Sequence, residues 1–302
     1  MDSNDDEQEK YKGLCSELIK INKIRIIKEN EIKLNIKNST KLGEGGQALV
    51  YFGLLDNKHE VAVKIMKIVD WKNLSNELII ISYTEHENIP KFYGLIITDN
   101  WKIEMVFEFI SGLTLDNFKL NNFAYFKYED KIKISQGICS AIKTIYKNNF
   151  IHRDLKPENI MIDKNNKPYV IDFGIGKVLL SSDEVVTRAK GSTYYTAPET
   201  VIEIGNEQEV NSDIILSKIT HKVDVWAFGC IISYLFSGIL PWTNKYGVAE
   251  RVIYTKLIQK KPFPIPSNIK DKTLIEIIKK ATEIDPTARA NIEEIEEILL
   301  TM

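Results

Sequence analysis

Ile151-His152-Arg153-Asp154-Leu155-Lys156-Pro157-Glu158-Asn159 packs two carboxylates, two cations, an imidazole and an amide behind a short apolar run. Taken singly, each Asp or Asn in such a stretch reads as a turn residue, because these side chains hydrogen-bond their own backbone. The sequence that follows changes this reading. Asp172-Phe173-Gly174 begins thirteen residues beyond Asn159. That separation fits two strands of a hairpin with Asn165-Asn166 as its turn, which returns Asn159 and Asp172 to one point.

Towards the N-terminus, Gly43-Glu44-Gly45-Gly46-Gln47-Ala48 lies between Leu42 and the strand-like Leu49-Val50-Tyr51-Phe52. Glycines let backbone N–H groups approach a polyphosphate closely, although a Gly-rich hairpin turn is as readily structural. The segment lacks the G-K-[ST] of a Walker loop, and a strand rather than a helix follows it, which sets aside the Rossmann arrangement. Residues 38–110 read mostly as strand: Leu42, Leu49–Phe52, Glu60–Ile65, Leu95–Ile97 and Ile103–Phe109. Asp56-Asn57-Lys58 makes a hairpin connection, and one helix falls around Asn73–Tyr83. After Gly112 the character is helical, with segments at Tyr128–Lys147, Val223–Phe236, Val248–Gln259, Lys272–Thr282 and Ile292–Leu300. A strand-rich third followed by a helix-rich two thirds predicts an α+β protein of two unequal lobes.

Residues 1–37 read as an extension whose acidic head is expected to be partly disordered. Leu18, Ile19, Ile21, Ile24, Ile26 and Ile27 in it fit an amphipathic helix or an extra strand. Residues 202–220 read as a polar insert, either a solvated surface segment or a docking element. Over 302 residues, 40 Lys+Arg against 42 Asp+Glu give a net charge of −2, and 44% of the chain is hydrophobic. A large core is affordable, and the basic excess of a nucleic-acid-binding protein is absent. Cys15, Cys139 and Cys230 offer neither an even-numbered disulfide framework nor a C-x-x-C spacing. Their scatter points to a reducing, intracellular and cytoplasmic setting. The acidic start is unlike a secretory signal. Val225–Thr243 carries no charge and is formally long enough to span a membrane. Asp224 before it, and Gly229, Gly238 and Pro241 within it, favour a buried core helix, so no membrane span is expected.

With Val61-Ala62-Val63-Lys64 on a strand, the Ile151–Asn159 stretch, Asp172-Phe173-Gly174 and Ala197-Pro198-Glu199 in order, the chain resembles the eukaryotic protein kinase family from about Leu42 to Met302. The one departure is Ala48 in place of the third loop glycine. The resemblance implies a bilobal protein kinase fold, with a small β-rich N-lobe (about 38–110) holding one key helix and a larger helical C-lobe (about 111–302). It implies ATP as phosphoryl donor with Mg2+, or alternatively Mn2+. Leu42, Gly43, Glu44, Gly45 and Gly46 would then line the nucleotide, and Val50, Ala62 and Met161 would sandwich its adenine. Glu108-Phe109-Ile110 would be the hinge, and a bulky Phe107 would narrow the pocket behind the base. Lys64 would contact the α- and β-phosphates, directed by Glu77, which stands twelve residues before Ile89. Asp154 would accept or orient the substrate hydroxyl proton and Lys156 would neutralise the transferring group, with Asn159 and Asp172 as metal ligands. Ile81, Phe92, His152 and Phe173 would stack above Asp224, with His152 as a core histidine, and Glu199 would pair with Arg289.

Lys156-Pro157-Glu158, and Ser192 as the hydroxyl bridging Asp154 and Lys156, resemble serine/threonine kinases. The expected partner is therefore a protein substrate with a Ser or Thr acceptor. Tyr194 and Tyr195 keep dual specificity open, and a non-catalytic kinase-fold scaffold is the alternative of another class. Arg153 and Lys177 are cations suited to an activation-loop phosphate, on Thr187 first and on Ser181 or Ser182 second. Asp183 and Glu184 would otherwise supply that negative charge permanently. The regulatory partner stays open.

Overall fold

Strand-forming residues dominate the first third of the chain, and in the computed structural model they build one sheet. The structure describes residues 13, 16, 17, 20, 23–34, 41–45, 48–67, 71–98, 103–121, 123–174, 176–178, 193–201, 219–243 and 249–302. The chain divides into two units, Met1–Ser111 and Gly112–Met302. Among the described residues of the first, β1 (Ile32–Lys33), β2 (Lys41–Glu44), β3 (Ala48–Leu55), β4 (His59–Met66), β5 (Phe92–Ile97) and β6 (Ile103–Glu108) form a six-stranded sheet. Its order is β1-β3-β4-β6-β5, with β2 also on β3, and every pairing is antiparallel. Asp56 and Asn57 turn β3 into β4 with φ of 52° and 56°, a left-handed conformation that Asp and Asn tolerate better than most residues.

The register decides which residues share a face. Val50 lies opposite Lys64 and Lys64 opposite Met105, while Phe52 lies opposite Ala62 and Ala62 opposite Phe107. With a period of two, Val50, Ala62, Lys64 and Phe107 therefore occupy one face. Val61, Val63, Ile65, Ile96 and Val106 occupy the other and form a buried apolar cluster with Ile27 and Leu55. Helix α1 (Trp71–Tyr83) starts two residues earlier than the sequence suggests. Each of the two readings of the N-terminal apolar run is met in part: Gly13, Ser16, Glu17 and Lys20 are helical, whereas Ile26 forms a parallel bridge with Leu95 and β1 pairs with the end of β3; Leu18, Ile19 and Ile21 lie outside the described residues.

In the second unit, β7 (Gly112–Thr114), β9 (Ile160–Asp163) and β10 (Pro168–Val170) form a small sheet, and β8 (Phe150–Ile151) pairs with β11 (Lys177–Val178). Helix α2 (Tyr128–Lys147) has the bounds its pattern predicts. It buries Ile132, Ser135, Ile138, Cys139, Ile142 and Ile145, a stripe at three- and four-residue spacing that faces a core. Helix α3 (Lys222–Ser237) has 14 of its 16 residues buried, so the charge-free run is a core helix, hydrophobic all round. Helices α4 (Glu250–Ile258), α5 (Lys272–Ala281) and α6 (Ile292–Leu299) complete the unit. No helix among the described residues is long and apolar enough to cross a membrane. Gly46, Ser181, Ser182, Thr187, Ser192, residues 1–12 of the extension and residues 202–218 of the insert lie outside the described residues.

Candidate active site

In the second unit, the chain leaves β8 at His152 and folds back on itself before β9. Arg153 has φ of 67°, a left-handed conformation costly for a side chain of its size. The buried Asp224 of α3 holds it there: its two carboxylate oxygens accept the N–H of His152 at 2.7 Å and of Arg153 at 2.8 Å. Burial pushes the Asp224 carboxyl upward, against the opposing pull of His152 and of these two N–H bonds. His152 is fully buried. Its Nε2 meets Ile171 O at 3.0 Å and its Nδ1 accepts Asp154 N at 3.3 Å, which assigns the proton to Nε2. The Phe173 ring lies 5.0 Å from the imidazole. The histidine is thus a satisfied core residue.

The turn delivers three side chains to one place. Asp154 Oδ2 accepts Lys156 Nζ at 2.7 Å and Asn159 Nδ2 at 3.0 Å, and the same amide nitrogen reaches Asp154 O at 2.8 Å. Asp154 Oδ1 is buried and has no hydrogen-bond partner among the described residues. The β9–β10 ladder, turned at Asn166 with φ of 63°, extends to Ile171 N donating to Asn159 O at 2.9 Å. Asp172 follows directly, itself left-handed at φ 64°, and its Oδ1 accepts Gly174 N at 3.2 Å. Met161 sits in β9 opposite Tyr169. Further along, Glu199 accepts two hydrogen bonds from the buried Arg289, at 2.6 and 2.9 Å.

In the first unit, Lys64 Nζ lies 2.6 Å from Glu77 Oε1 on α1. Phe107 rests against Phe92, with ring centroids 5.3 Å apart, and Phe109 meets Phe52 edge-on at 5.0 Å. Two of the three hinge N–H groups are engaged, Glu108 N to Lys91 O at 2.8 Å and Phe109 N to Glu60 O at 3.4 Å. In the glycine turn, Gly45 N donates to Ala48 O at 2.9 Å, and Leu42 is exposed. The Glu44 carboxylate is bonded by Lys41 and Lys67, which hold its pKa down at about 2. Its side chain is therefore engaged by two cations. The part that sequence reasoning missed is the grip of Asp224 on two backbone N–H groups, for which only its acidic position at the head of an uncharged run gave a hint.

A family model described as the protein kinase domain matches residues 36–299. The serine/threonine-protein kinase STY46 of Arabidopsis thaliana is 30% identical over 276 residues, 89% of this chain and 44% of its own length. Cold-responsive protein kinase 1 of the same organism is 27% identical over 237 residues, 74% of this chain and 57% of its own length. The probable serine/threonine-protein kinase nek3 of Dictyostelium discoideum is 29% identical over 253 residues, 82% of this chain and 21% of its own length. The chain thus spans less than two thirds of the length of each of these relatives. The family match reaches from ahead of the glycine turn to the last helix and takes in both the Lys64–Glu77 pair and the Asp154 cluster, and the chain belongs to the protein kinase family.

Proposed function

We propose that this chain is a protein serine/threonine kinase that transfers the γ-phosphoryl group of ATP to Ser or Thr hydroxyls of protein substrates. The observation that carries this reading is the asymmetry of Asp154: Lys156 and Asn159 hold one oxygen, and the other is buried with no hydrogen-bond partner among the described residues. A carboxylate fixed at one oxygen, with hydrogen-bonding capacity left at the other, is suited to take the hydrogen bond of an acceptor hydroxyl and aim its lone pair at phosphorus, a contribution of roughly 10²- to 10⁴-fold. Lys156 places positive charge beside the transferring group. Lys64, directed by Glu77, offers its ammonium to the α- and β-phosphates.

Asn159 and Asp172 fit a divalent cation. The amide nitrogen of Asn159 is spent on Asp154, which leaves its oxygen as the ligand end, and Asp172 adds a carboxylate, an all-oxygen set suited to Mg2+ or Mn2+. When bound, the ion supplies positive charge against the phosphate oxygens. The choice of Ser or Thr over Tyr rests on Lys156-Pro157-Glu158, on Ser192 and on relatives named as serine/threonine kinases. The free thiols of Cys139 and Cys230, both buried, suit a reducing intracellular setting.

Phosphosite mass spectrometry after incubation with Mg·ATP and a basic protein substrate, beside Asp154→Asn, tests the proposal. Phosphoserine and phosphothreonine are expected only with Asp154 intact, and occupancy at Thr187 would add loop autophosphorylation. Phosphotyrosine beside them would make the enzyme dual-specific. Silence of both proteins, even after exposure to an upstream kinase, would leave the scaffold reading.

A further inference from the structure

The family match begins at residue 36, yet the sheet of the first unit is bound at two edges by chain that precedes it. Ile27 N donates to Leu95 O at 2.8 Å and Leu95 N donates to Arg25 O at 2.9 Å, so residues 25–27 line the outer edge of β5. A few residues on, Ile32 and Lys33 pair with Leu55 and Leu54 at the end of β3, and Asp56 N donates to Glu31 O at 2.7 Å. The segment is anchored as well as paired. Ile24 and Ile27 are 2% and 1% exposed, and Ile27 belongs to the apolar cluster on the face of the sheet opposite Lys64. Gly94 is fitted to this approach: its φ is 147°, and a Cβ there would stand 2.2 Å from Arg25 O. No side chain is compatible with both.

The same segment touches α1. Lys23 Nζ lies 4.6 Å from the centre of the Tyr83 ring, and Tyr83 is the last residue of the helix that carries Glu77. We infer that residues 23–34 form a strap that ties the C-terminal end of α1 to the sheet and so keeps Glu77 on Lys64, with Ile27 and Lys23 as positioning residues. The catalytic consequence rests on the phosphoryl-transfer reading above; the structural coupling does not.

Amide hydrogen exchange on the full chain tests the coupling. Ile27→Ala is expected to speed exchange at Leu95 and Asp56 and, together with them, at Leu78–Tyr83 of α1 by about tenfold or more. Helices α2 and α3 of the other unit keep their protection, and Ile27→Val restores α1. In a peptide assay, Ile27→Ala is expected to lower kcat several-fold at an unchanged peptide KM. Faster exchange at Leu95 and Asp56 with α1 unmoved would overturn the inference and reduce the strap to a cover, and so would unaltered exchange throughout. Should Ile27→Ala fail to fold, Lys23→Ala gives the same reading at the last turn of α1, where unchanged protection counts against the strap. A chain that transfers no phosphate in any form would refute the kinase proposal and leave the exchange result standing.

Discussion

Lys64 Nζ and Glu77 Oε1 stand 2.6 Å apart with side chains only 15% and 2% exposed, so the cation on β4 and the carboxylate on α1 have each exchanged water for the other. Attraction at reduced dielectric offsets that desolvation only while both partners are present. The pair is therefore a latch between sheet and helix whose halves are separately costly.

Lys64→Met removes the cation beside the buried Glu77 carboxylate and is expected to destabilise the protein by about 3–5 kcal/mol. Adding Glu77→Leu removes the buried charge as well and should recover most of that loss, while phosphoryl transfer stays abolished in both variants. Urea unfolding beside a transfer assay separates the two effects. A double variant as unstable as the single one would contradict this account of the pair.

Arg289 is the corresponding latch of the second unit. Besides the two bonds to Glu199, its Nε donates to Glu283 O at 2.8 Å and its Nη1 to Lys222 O at 2.7 Å, and its guanidinium lies 5.1 Å from the centre of the Trp226 ring. Arg289→Ala takes this donor from a carboxylate and from three carbonyls, Glu283 O, Lys222 O and Ile284 O. The expected result is a loss of about 3–5 kcal/mol, seen as a collapse of Tm rather than a raised substrate KM. Arg289→Lys should rescue little, since an ammonium lacks the planar fork that serves these acceptors together. A soluble Arg289→Ala protein with an unchanged Tm would refute the assignment.

Asp224 sets the turn that aims Asp154. Its two oxygens satisfy two N–H groups at 2.7 and 2.8 Å, whereas an asparagine has one oxygen to offer. Asp224→Asn should cost about 1–3 kcal/mol through the N–H left unpaired. It should also lower kcat, because the left-handed Arg153 loses its restraint. Unchanged turnover would show that Asp154 keeps its position without this carboxylate.

How far these features could be read from sequence depended on whether the chain repeats them locally. The bounds of α2 emerged because Ile132, Ser135, Cys139 and Ile142 fall on one helical stripe, and the β3–β4 turn because Asp56-Asn57 tolerates positive φ. The Arg289–Glu199 pair was legible only through family motifs, since nothing local links residues 90 positions apart. The N-terminal isoleucines were ambiguous because their spacing suits both periods, and both occur: helix at Ser16, Glu17 and Lys20, and long-range pairing with Leu95 at Ile26. The grip of Asp224 on the Arg153 turn left only the hint of an acid at the head of an uncharged run. A side chain bonded to backbone N–H groups 71 and 72 residues away places no demand on residue identity at the other end.

Asp271 joins two helices of the second unit and makes stability depend on pH. Its Oδ1 caps α5 by accepting Leu274 N at 2.9 Å, and its Oδ2 accepts the hydroxyl of Tyr128, the first residue of α2, at 2.8 Å. The Leu274 N–H first, and then the Tyr128 hydroxyl, hold its carboxyl below the ordinary value of 3.8. The folded state thus binds the proton more weakly than the unfolded chain. Stability from the ionised carboxylate is fully present above that ordinary value and is lost as pH falls through the depressed one. Asp271→Asn keeps a competent cap without a titrating group, whereas Asp271→Ala loses the cap at a cost of about 0.5–2 kcal/mol. Denaturant unfolding at neutral pH and at successively lower pH below 3.8 should show wild type ahead of Asp271→Asn at the first and converging on it as the depressed value is passed. A gap that stays constant with pH would mean that the carboxylate charge contributes nothing to this junction.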